Sequence, residues 1–148
     1  MKNLLTTLFL VIGITNFITA QTEKTITKSF AVNQSQMAFV MLPGDVTVNE
    51  WNENYIRLTT NVTVENMSEN IVKQLVIVGR YNIEVKEDKY GKMIVVKMPD
   101  IAHFVTVKGV ALVESYTFEI NTPVGYKVVI KDDLNPNAPH NSTLQEAI

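Results

Sequence analysis

The segment that decides the fold is IRLTTNVTV, residues 56–64, in which apolar or β-branched side chains alternate with polar ones. A period of two residues is the period of a β-strand, because successive side chains point to opposite faces of the sheet. One face of this strand is therefore predicted to be buried and the other to be wet, which is typical of a sheet that covers one side of a core.

The same alternation recurs along most of the chain, interrupted by turns that contain Gly, Pro, Asn or Asp. Such turns end strands because Pro fixes φ and Gly accepts positive φ. Their close spacing favours antiparallel pairing. We expect a mainly β fold of about nine short strands, arranged as an antiparallel β-sandwich, roll or solenoid-like stack.

One segment departs from the strand period. Over residues 68–78 the apolar side chains of Ile71, Leu75 and Val78 recur at helical spacing. Ser68 is a suitable N-cap, and Gly79 suits the position after the last turn. The β-branched run 76–78 argues against a helix. We nevertheless predict one short helix over about 68–78.

Residues 1–20 have the layout of a cleavable secretory signal. A short positively charged start precedes an apolar run from Leu4 to Ile18, and Ala20 supplies a small residue before the polar Gln21. An uncleaved membrane anchor is the alternative, but it requires about 20 strongly apolar residues. The predicted organisation is a signal peptide at 1–20, one β-rich domain at 21–130 and a flexible C-terminal tail at 131–148.

Composition and charge narrow the function classes. The chain has a formal net charge of −2, 46% hydrophobic residues and no cysteine. A basic stripe of the kind that nucleic-acid-binding proteins carry is absent from the sequence, so nucleic acid is not an expected partner. Without cysteine the domain has no disulfides, and its stability must come from core packing.

Candidate catalytic and metal-binding residues are few. The two histidines, His103 and His140, are distant in sequence and do not supply a zinc site or a nucleophile–base pair. Glu50 and Glu53 are close enough to suggest paired carboxylates, but they flank a predicted hairpin turn, which is usually a wet loop.

A calcium loop is suggested by the spacing of Asp133, Asn135 and Asn137. The pattern then fails, since Ala138 replaces the required Gly and Leu144 replaces the required Glu. We predict no enzyme activity, no cofactor and no metal.

Trp51 is the only tryptophan and falls in the polar segment Glu50-Trp51-Asn52-Glu53. A tryptophan in a turn can contact a partner, because aromatic residues are enriched at interfaces, or it can fold back onto the core. The candidate interaction surface from sequence is therefore Trp51, Asn52 and Glu53.

Several short motifs resemble one family. They are FAV at 30–32, LPGDVTV at 42–48, WN at 51–52, IRL at 56–58 and FEINTPVGYKV at 118–128. The chain resembles, over roughly residues 28–130, Bacteroidetes-like bacterial adhesin or auto-transporter adhesin head-like domains of unknown function. Such domains usually continue into stacked β repeats, so the resemblance implies a truncated form. It implies an exported β protein, with no enzyme activity and no assigned ligand.

Together these observations predict an exported, non-catalytic envelope protein that acts through surface contacts, with an adhesin-like or structural role. The expected location is the periplasm, the outer cell surface or the medium. The expected partners are another envelope protein, a polysaccharide or a second copy of the chain. The alternative is a periplasmic β domain that binds a small molecule or a lipid.

Overall fold

The structure is a computed structural model that describes residues 20–131. Within this range the chain forms ten strands, one α-helix and one 3-10 helix. In chain order these elements are β1 (Gln21–Ala31), β2 (Met37–Met41), β3 (Asp45–Trp51), β4 (Tyr55–Glu65), α1 (Glu69–Ile77), β5 (Glu84–Glu87), β6 (Met93–Lys97), the 3-10 helix (Pro99–Ala102), β7 (Thr106–Val107), β8 (Val110–Ala111), β9 (Glu114–Pro123) and β10 (Lys127–Ile130).

The strands form two four-stranded sheets and a small two-stranded one. The first sheet has the order β1-β4-β9-β3, the second has the order β10-β2-β6-β5, and β7 pairs with β8. The predicted β-rich class is confirmed. The pairing is mixed, however, because β3 runs parallel to β9, and both β10 and β6 run parallel to β2.

Strand β4 shows why the sequence alternates. Ile56, Leu58, Thr60, Val62 and Val64 are buried, and each has an exposed or half-buried neighbour on either side. These inward side chains pack with those of the second sheet and of α1, and burial of an aliphatic side chain contributes about 1.5–3 kcal/mol. The core consists of Ala38, Val40, Leu42, Ile56, Leu58, Val62, Val64, Met67, Val72, Leu75, Tyr81, Ile83, Ile94, Val96, Met98, Phe118 and Ile120.

Two of the short connections that carry the chain from one sheet to the other contain glycine. Pro43 and Gly44 join β2 to β3, and Val124 and Gly125 lie between β9 and β10. Gly44 has a φ of +145°, and a Cβ at this position would lie 2.4 Å from the carbonyl oxygen of Tyr116. Only glycine therefore allows this turn to pass so close to β9.

The predicted helix is confirmed as α1, whose Val72 and Leu75 are buried. It lies against β1, where Lys24 approaches Glu69 at 3.9 Å. Several residues of α1 are β-branched, which lowers their helix propensity. The helix is therefore stabilised mainly by the burial of one face.

The two sheets are stacked with β1 and β5 on one side. The Asn33 side chain donates a hydrogen bond to Glu87 at the end of β5, and Lys28 of β1 donates to the carbonyl oxygen of Ile83. The order of strands then places β3 and β10 together at the opposite side.

The predicted signal segment and tail lie outside the described residues, apart from Ala20 and Lys131, and their boundaries stay predictions. β1 begins at Gln21, immediately after the predicted cleavage position. In the part of the chain that the structure describes, no helix has the length and apolar character needed to span a membrane.

Candidate interaction surface

Trp51 is the last residue of β3, where it lies opposite Pro123 of β9. The next three residues, 52–54, form an exposed bend before β4 begins. The sequence predicted a hairpin here, but β3 and β4 are not paired, because β9 lies between them. The bend therefore crosses the end of the first sheet.

The indole of Trp51 is fixed to the first residue of β4. Its Nε1–H donates a hydrogen bond to the carbonyl oxygen of Tyr55 at 2.9 Å. The two rings meet edge to face, with centroids 4.7 Å apart and planes inclined by 67°. This is a favourable aromatic arrangement, so the orientation of Trp51 is set within the chain itself.

Arg57 completes the group from β4. Its guanidinium carbon lies 4.8 Å from the centroid of the Trp51 ring, and its Nη2 donates a hydrogen bond of 2.9 Å to the Tyr55 hydroxyl. This is cation–π geometry. Arg57 is exposed and has no ion pair with any described carboxylate. We call Trp51, Tyr55 and Arg57 the aromatic–arginine cluster.

The cluster lies at one end of a polar sheet face. Strand register places Arg57 opposite Asn121 of β9, which in turn lies opposite Asn49 of β3. Both asparagine side chains donate hydrogen bonds to Glu119. Because the inward side chains alternate with these, the outward face of the first sheet presents amides, hydroxyls and a few charges to solvent.

The three residues predicted from the sequence lie together but differ in character. Trp51 is half-buried and bonded, whereas Asn52 and Glu53 are exposed and make no side-chain hydrogen bond to other described residues. Tyr55 and Arg57 were not predicted. The available signal was their spacing, since Tyr55 and Arg57 share the outward face of β4 and follow Trp51 by only a few residues.

A second polar group is buried inside the domain. Arg80 and Glu114 form an ion pair of 2.8 Å with side chains only 8% and 6% exposed. Arg80 Nη1 also donates to the carbonyl oxygens of Asp100 and His103, and the Tyr81 hydroxyl donates to Glu114. Burial, together with the Glu114 carboxylate, raises the pKa of Tyr81 well above its usual range. We call Arg80, Tyr81 and Glu114 the buried polar cluster.

This buried polar cluster was not predicted from the sequence, and it is closed to solvent. It connects the end of α1 to the 3-10 helix and to β9. Since each charge has its partner, the cluster fixes these elements relative to one another. Its geometry is that of a structural network.

An open cleft of about 240 Å³ lies at the opposite end of β4 from the aromatic–arginine cluster. Apolar and polar side chains share its wall, and its volume is below that of typical drug-sized sites. It is lined by Asn66, Met67, Ser68, Ile71, Val107, Lys108 and Val110.

The other sequence candidates do not form a site among the described residues. His103 is exposed and its carbonyl serves Arg80. Glu50 accepts a hydrogen bond from the Gly125 amide and holds the β9–β10 turn, whereas Glu53 lies in the exposed bend after β3. Residues 20–131 contain no group of three His, Asp or Glu side chains that could hold a metal. His140 and residues 133–137 lie outside the described range.

No family model matches the chain, and no curated protein matches it. Among solved structures it is similar to a putative cell adhesion protein from Clostridium sporogenes, with 16% sequence identity and a TM-score of 0.38. The similarity covers 74% of this chain and 46% of that one, so this chain spans about half of its neighbour's length.

Proposed function

We propose that this chain is an exported, non-catalytic envelope protein that acts through surface contacts, and that the aromatic–arginine cluster is its contact surface. Trp51 and Arg57 make the main contacts, while Asn52 and Glu53 form the polar rim. A partner in the envelope, such as another protein, a polysaccharide or a like subunit, is the expected ligand.

The observation that supports this proposal is the composition and rigidity of the cluster. Tryptophan, tyrosine and arginine are the residues most enriched among those that dominate binding energy. Here the three are held by hydrogen bonds of 2.9 Å to one another. Groups that are ordered before binding lose less conformational entropy when a partner docks.

The contact surface can be tested with fluorescently labelled protein that begins at Gln21, added to intact cells and isolated envelopes of the source organism. Arg57→Glu should reduce binding at least tenfold, because the cluster loses its cation. Lys89→Glu is the matched control, since Lys89 also lies over an exposed aromatic ring, that of Tyr90. It should bind as the wild type does; equal binding by wild type and Arg57→Glu would contradict the proposal.

Export can be tested separately by mass spectrometry of the protein isolated from the source organism. An N-terminus at Gln21 is expected, and protease treatment of intact cells then distinguishes a surface location from a periplasmic one. A chain that retains Met1 through Ala20 would contradict cleavage of the signal.

The cleft beside α1 favours a second candidate function, the binding of a small molecule. Met67 and Ile71 offer apolar contacts there, and Lys108 offers a cation. Native mass spectrometry of the purified protein is the test. A bound mass that is lost in Ile71→Glu would support this function, whereas a bare protein mass would count against it.

A further inference from the structure

The second sheet has an apolar side chain layer on the side that faces away from the core. Strands β2 and β6 alternate between buried and half-buried residues, and β10 pairs beside β2. The buried set, which includes Val40 and Val96, faces the first sheet, so the alternate side chains point outward. Six of these adjoin one another, and we call them the apolar outer face: Met37, Phe39, Met41, Met93, Val95 and Val129.

Strand register makes the apolar outer face continuous across three strands. Val129 lies opposite Phe39, which in turn lies opposite Val95. A sheet face that borders water is normally polar, as the outward face of the first sheet is, whereas a strand that is apolar on both sides is typical of a sheet covered on both sides. Within residues 20–131 no helix packs over this face, since α1 lies against β1 of the first sheet.

The rim of the apolar outer face is basic. Lys127 begins β10, Lys86 lies on β5 and Lys97 lies at the end of β6, all at outward positions of the same sheet. Glu84 of β5 forms ion pairs with Lys86 and with Lys97, the latter at 2.9 Å. Lys127 has no ion pair with a described carboxylate. Three lysines and one glutamate therefore leave the rim with a positive charge.

The outward face of the first sheet has the opposite sign. Its strands carry one cation, Arg57, and four carboxylates at the outward positions, those of Glu23, Asp45, Glu65 and Glu119. The chain as a whole has a net charge of −2, but the two outer faces of the domain differ in sign. Near a negatively charged surface the field would therefore turn the second sheet toward that surface.

We propose that the apolar outer face docks onto the surface of a lipid bilayer that contains anionic lipids. Phe39 and the three methionines lie at the boundary between head groups and acyl chains, and the rim lysines lie at the lipid phosphates. Binding at a bilayer surface grows with the apolar area that is buried and with the attraction to anionic lipids. Each lysine close to an anionic leaflet adds to that attraction. This contact goes beyond the proposed function and uses a different surface.

Composition favours a lipid surface over a protein partner. The apolar outer face and its rim contain no tryptophan, tyrosine or arginine, the residues that dominate binding energy between proteins, and lysine is depleted in protein interfaces. Methionine is unbranched and adapts to irregular surroundings, such as acyl chains. A second copy of the same face is disfavoured, because it would bring one lysine rim against another.

The test is sedimentation of the protein that begins at Gln21 with sucrose-loaded vesicles. One set contains phosphatidylglycerol and phosphatidylcholine in equal parts, and the other contains phosphatidylcholine alone. We expect the anionic vesicles to bind at least about tenfold more tightly, and salt to weaken that binding. Circular dichroism of each variant checks that the fold is kept.

Two pairs of variants separate the apolar and the charged contributions. Phe39→Ser should weaken binding to the anionic vesicles at least about tenfold, whereas Phe104→Ser, which removes a ring that is 81% exposed outside the apolar outer face, should not. Lys127→Glu should weaken it severalfold. Its matched control is Lys73→Glu, on the exposed side of α1, which should bind as the wild type does.

Several results would overturn the proposal. One is equal binding to both kinds of vesicle or to neither, and another is a Phe39→Ser variant that binds as tightly as the wild type. Binding that appears only after residues 132–148 are removed would assign the face to that segment. A wild type that ignores vesicles but forms a dimer, which Phe39→Ser dissociates, would assign the face to a second copy.

The proposed function is judged separately by the envelope-binding assay. Arg57→Glu should bind the anionic vesicles within about twofold of the wild type, because Arg57 lies on the other sheet. If the vesicles are not bound but Arg57→Glu still loses envelope binding, the lipid contact is wrong and the aromatic–arginine cluster stands. If Arg57→Glu binds envelopes normally while Phe39→Ser loses the vesicles, the reverse holds.

Discussion

The guanidinium of Arg57 lies over the indole ring of Trp51, with Cζ 4.8 Å from the ring centroid, and so joins β4 to the end of β3 although these strands share no backbone pairing. Trp51 thus has two roles, because it packs within its own chain and remains accessible from one side. A substitution at Trp51 can therefore change both stability and binding, and the two must be measured separately.

Replacing Trp51 with alanine should lower the free energy of unfolding by about 2 kcal/mol, since it removes the ring contacts and the hydrogen bond to the Tyr55 carbonyl. Trp51→Phe keeps a ring and should cost about half as much. Urea denaturation measures both. Tyr90→Ala is the control, because Tyr90 is 76% exposed. A Trp51→Ala variant as stable as this control would show that the indole contributes no packing.

The alternation of residues 56–64 was enough to predict a strand with one buried face, and the spacing in residues 68–78 was enough to predict α1. Strand partners could not be predicted in the same way. The turns at Pro43-Gly44 and at Val124-Gly125 have the composition of hairpin turns, yet each carries the chain into the other sheet. Local sequence specifies that the chain turns, whereas packing of the two inner faces determines which sheet the next strand joins.

The candidate sites, too, could be predicted only in part from local sequence. Trp51 could be singled out because a lone tryptophan in a polar segment is conspicuous. Arg80 and Glu114 could not, because they are 34 residues apart and are joined only by the tertiary fold. Both side chains are buried, although charged residues are normally expected at solvent-exposed positions.

Breaking the buried ion pair should be costly. Arg80→Met leaves the Glu114 carboxylate in a site where it is 6% exposed, and also removes the donor to two carbonyl oxygens. We expect a loss of about 3–5 kcal/mol, measured by chemical denaturation. The double variant Arg80→Met/Glu114→Leu should lose less than the sum of the two single variants. Strict additivity would argue that the two side chains act separately.

Tyr81 of the buried polar cluster and its neighbour Tyr116, whose ring centroid lies 6.3 Å away, should respond differently to loss of the hydroxyl. The Tyr116 hydroxyl is buried without a hydrogen bond among the described residues, whereas the Tyr81 hydroxyl donates to Glu114 at 2.7 Å. Tyr116→Phe should leave stability unchanged or raise it by up to about 1 kcal/mol, and Tyr81→Phe should lower it by about 1–3 kcal/mol. Thermal unfolding of the two variants side by side is the measurement. The reverse order would assign the Glu114 hydrogen bond to Tyr116.

The domain should be sensitive to alkali. Burial raises the pKa values of Tyr81, Tyr116 and Tyr126 above the ordinary value of 10.0. The folded state therefore holds these protons more tightly than the unfolded state does, so stability is fully present below about pH 10 and is lost as pH rises beyond it. Denaturation followed across this range, with tyrosinate absorbance recorded in parallel, is the test. Stability that stays constant while all tyrosines ionise would contradict it.

The turn at Gly44 offers a test of the fold itself. Gly44→Ala should destabilise the domain by about 3 kcal/mol, because its Cβ would meet the Tyr116 carbonyl at 2.4 Å and its φ is unfavourable for alanine. Gly109→Ala has a positive φ of +80° but open space around it, and should cost only about 1 kcal/mol. Comparable losses at both positions, measured in urea, would mean that β2–β3 does not pass this close to β9.

Both sheets depend on strands from the two ends of the domain. β3 is held by β9, and β2 lies between β6 and β10, so partners such as Asp45 and Thr117 are about 70 residues apart in sequence. The first sheet cannot be completed until the chain as far as Pro123 is available, and the second needs the chain as far as Ile130. Closing such long loops is slow, so folding should be governed by contact order rather than by local propensity. For the export proposed above, this order means that the chain can remain extended during passage through a narrow translocation channel and fold only after its final strands emerge.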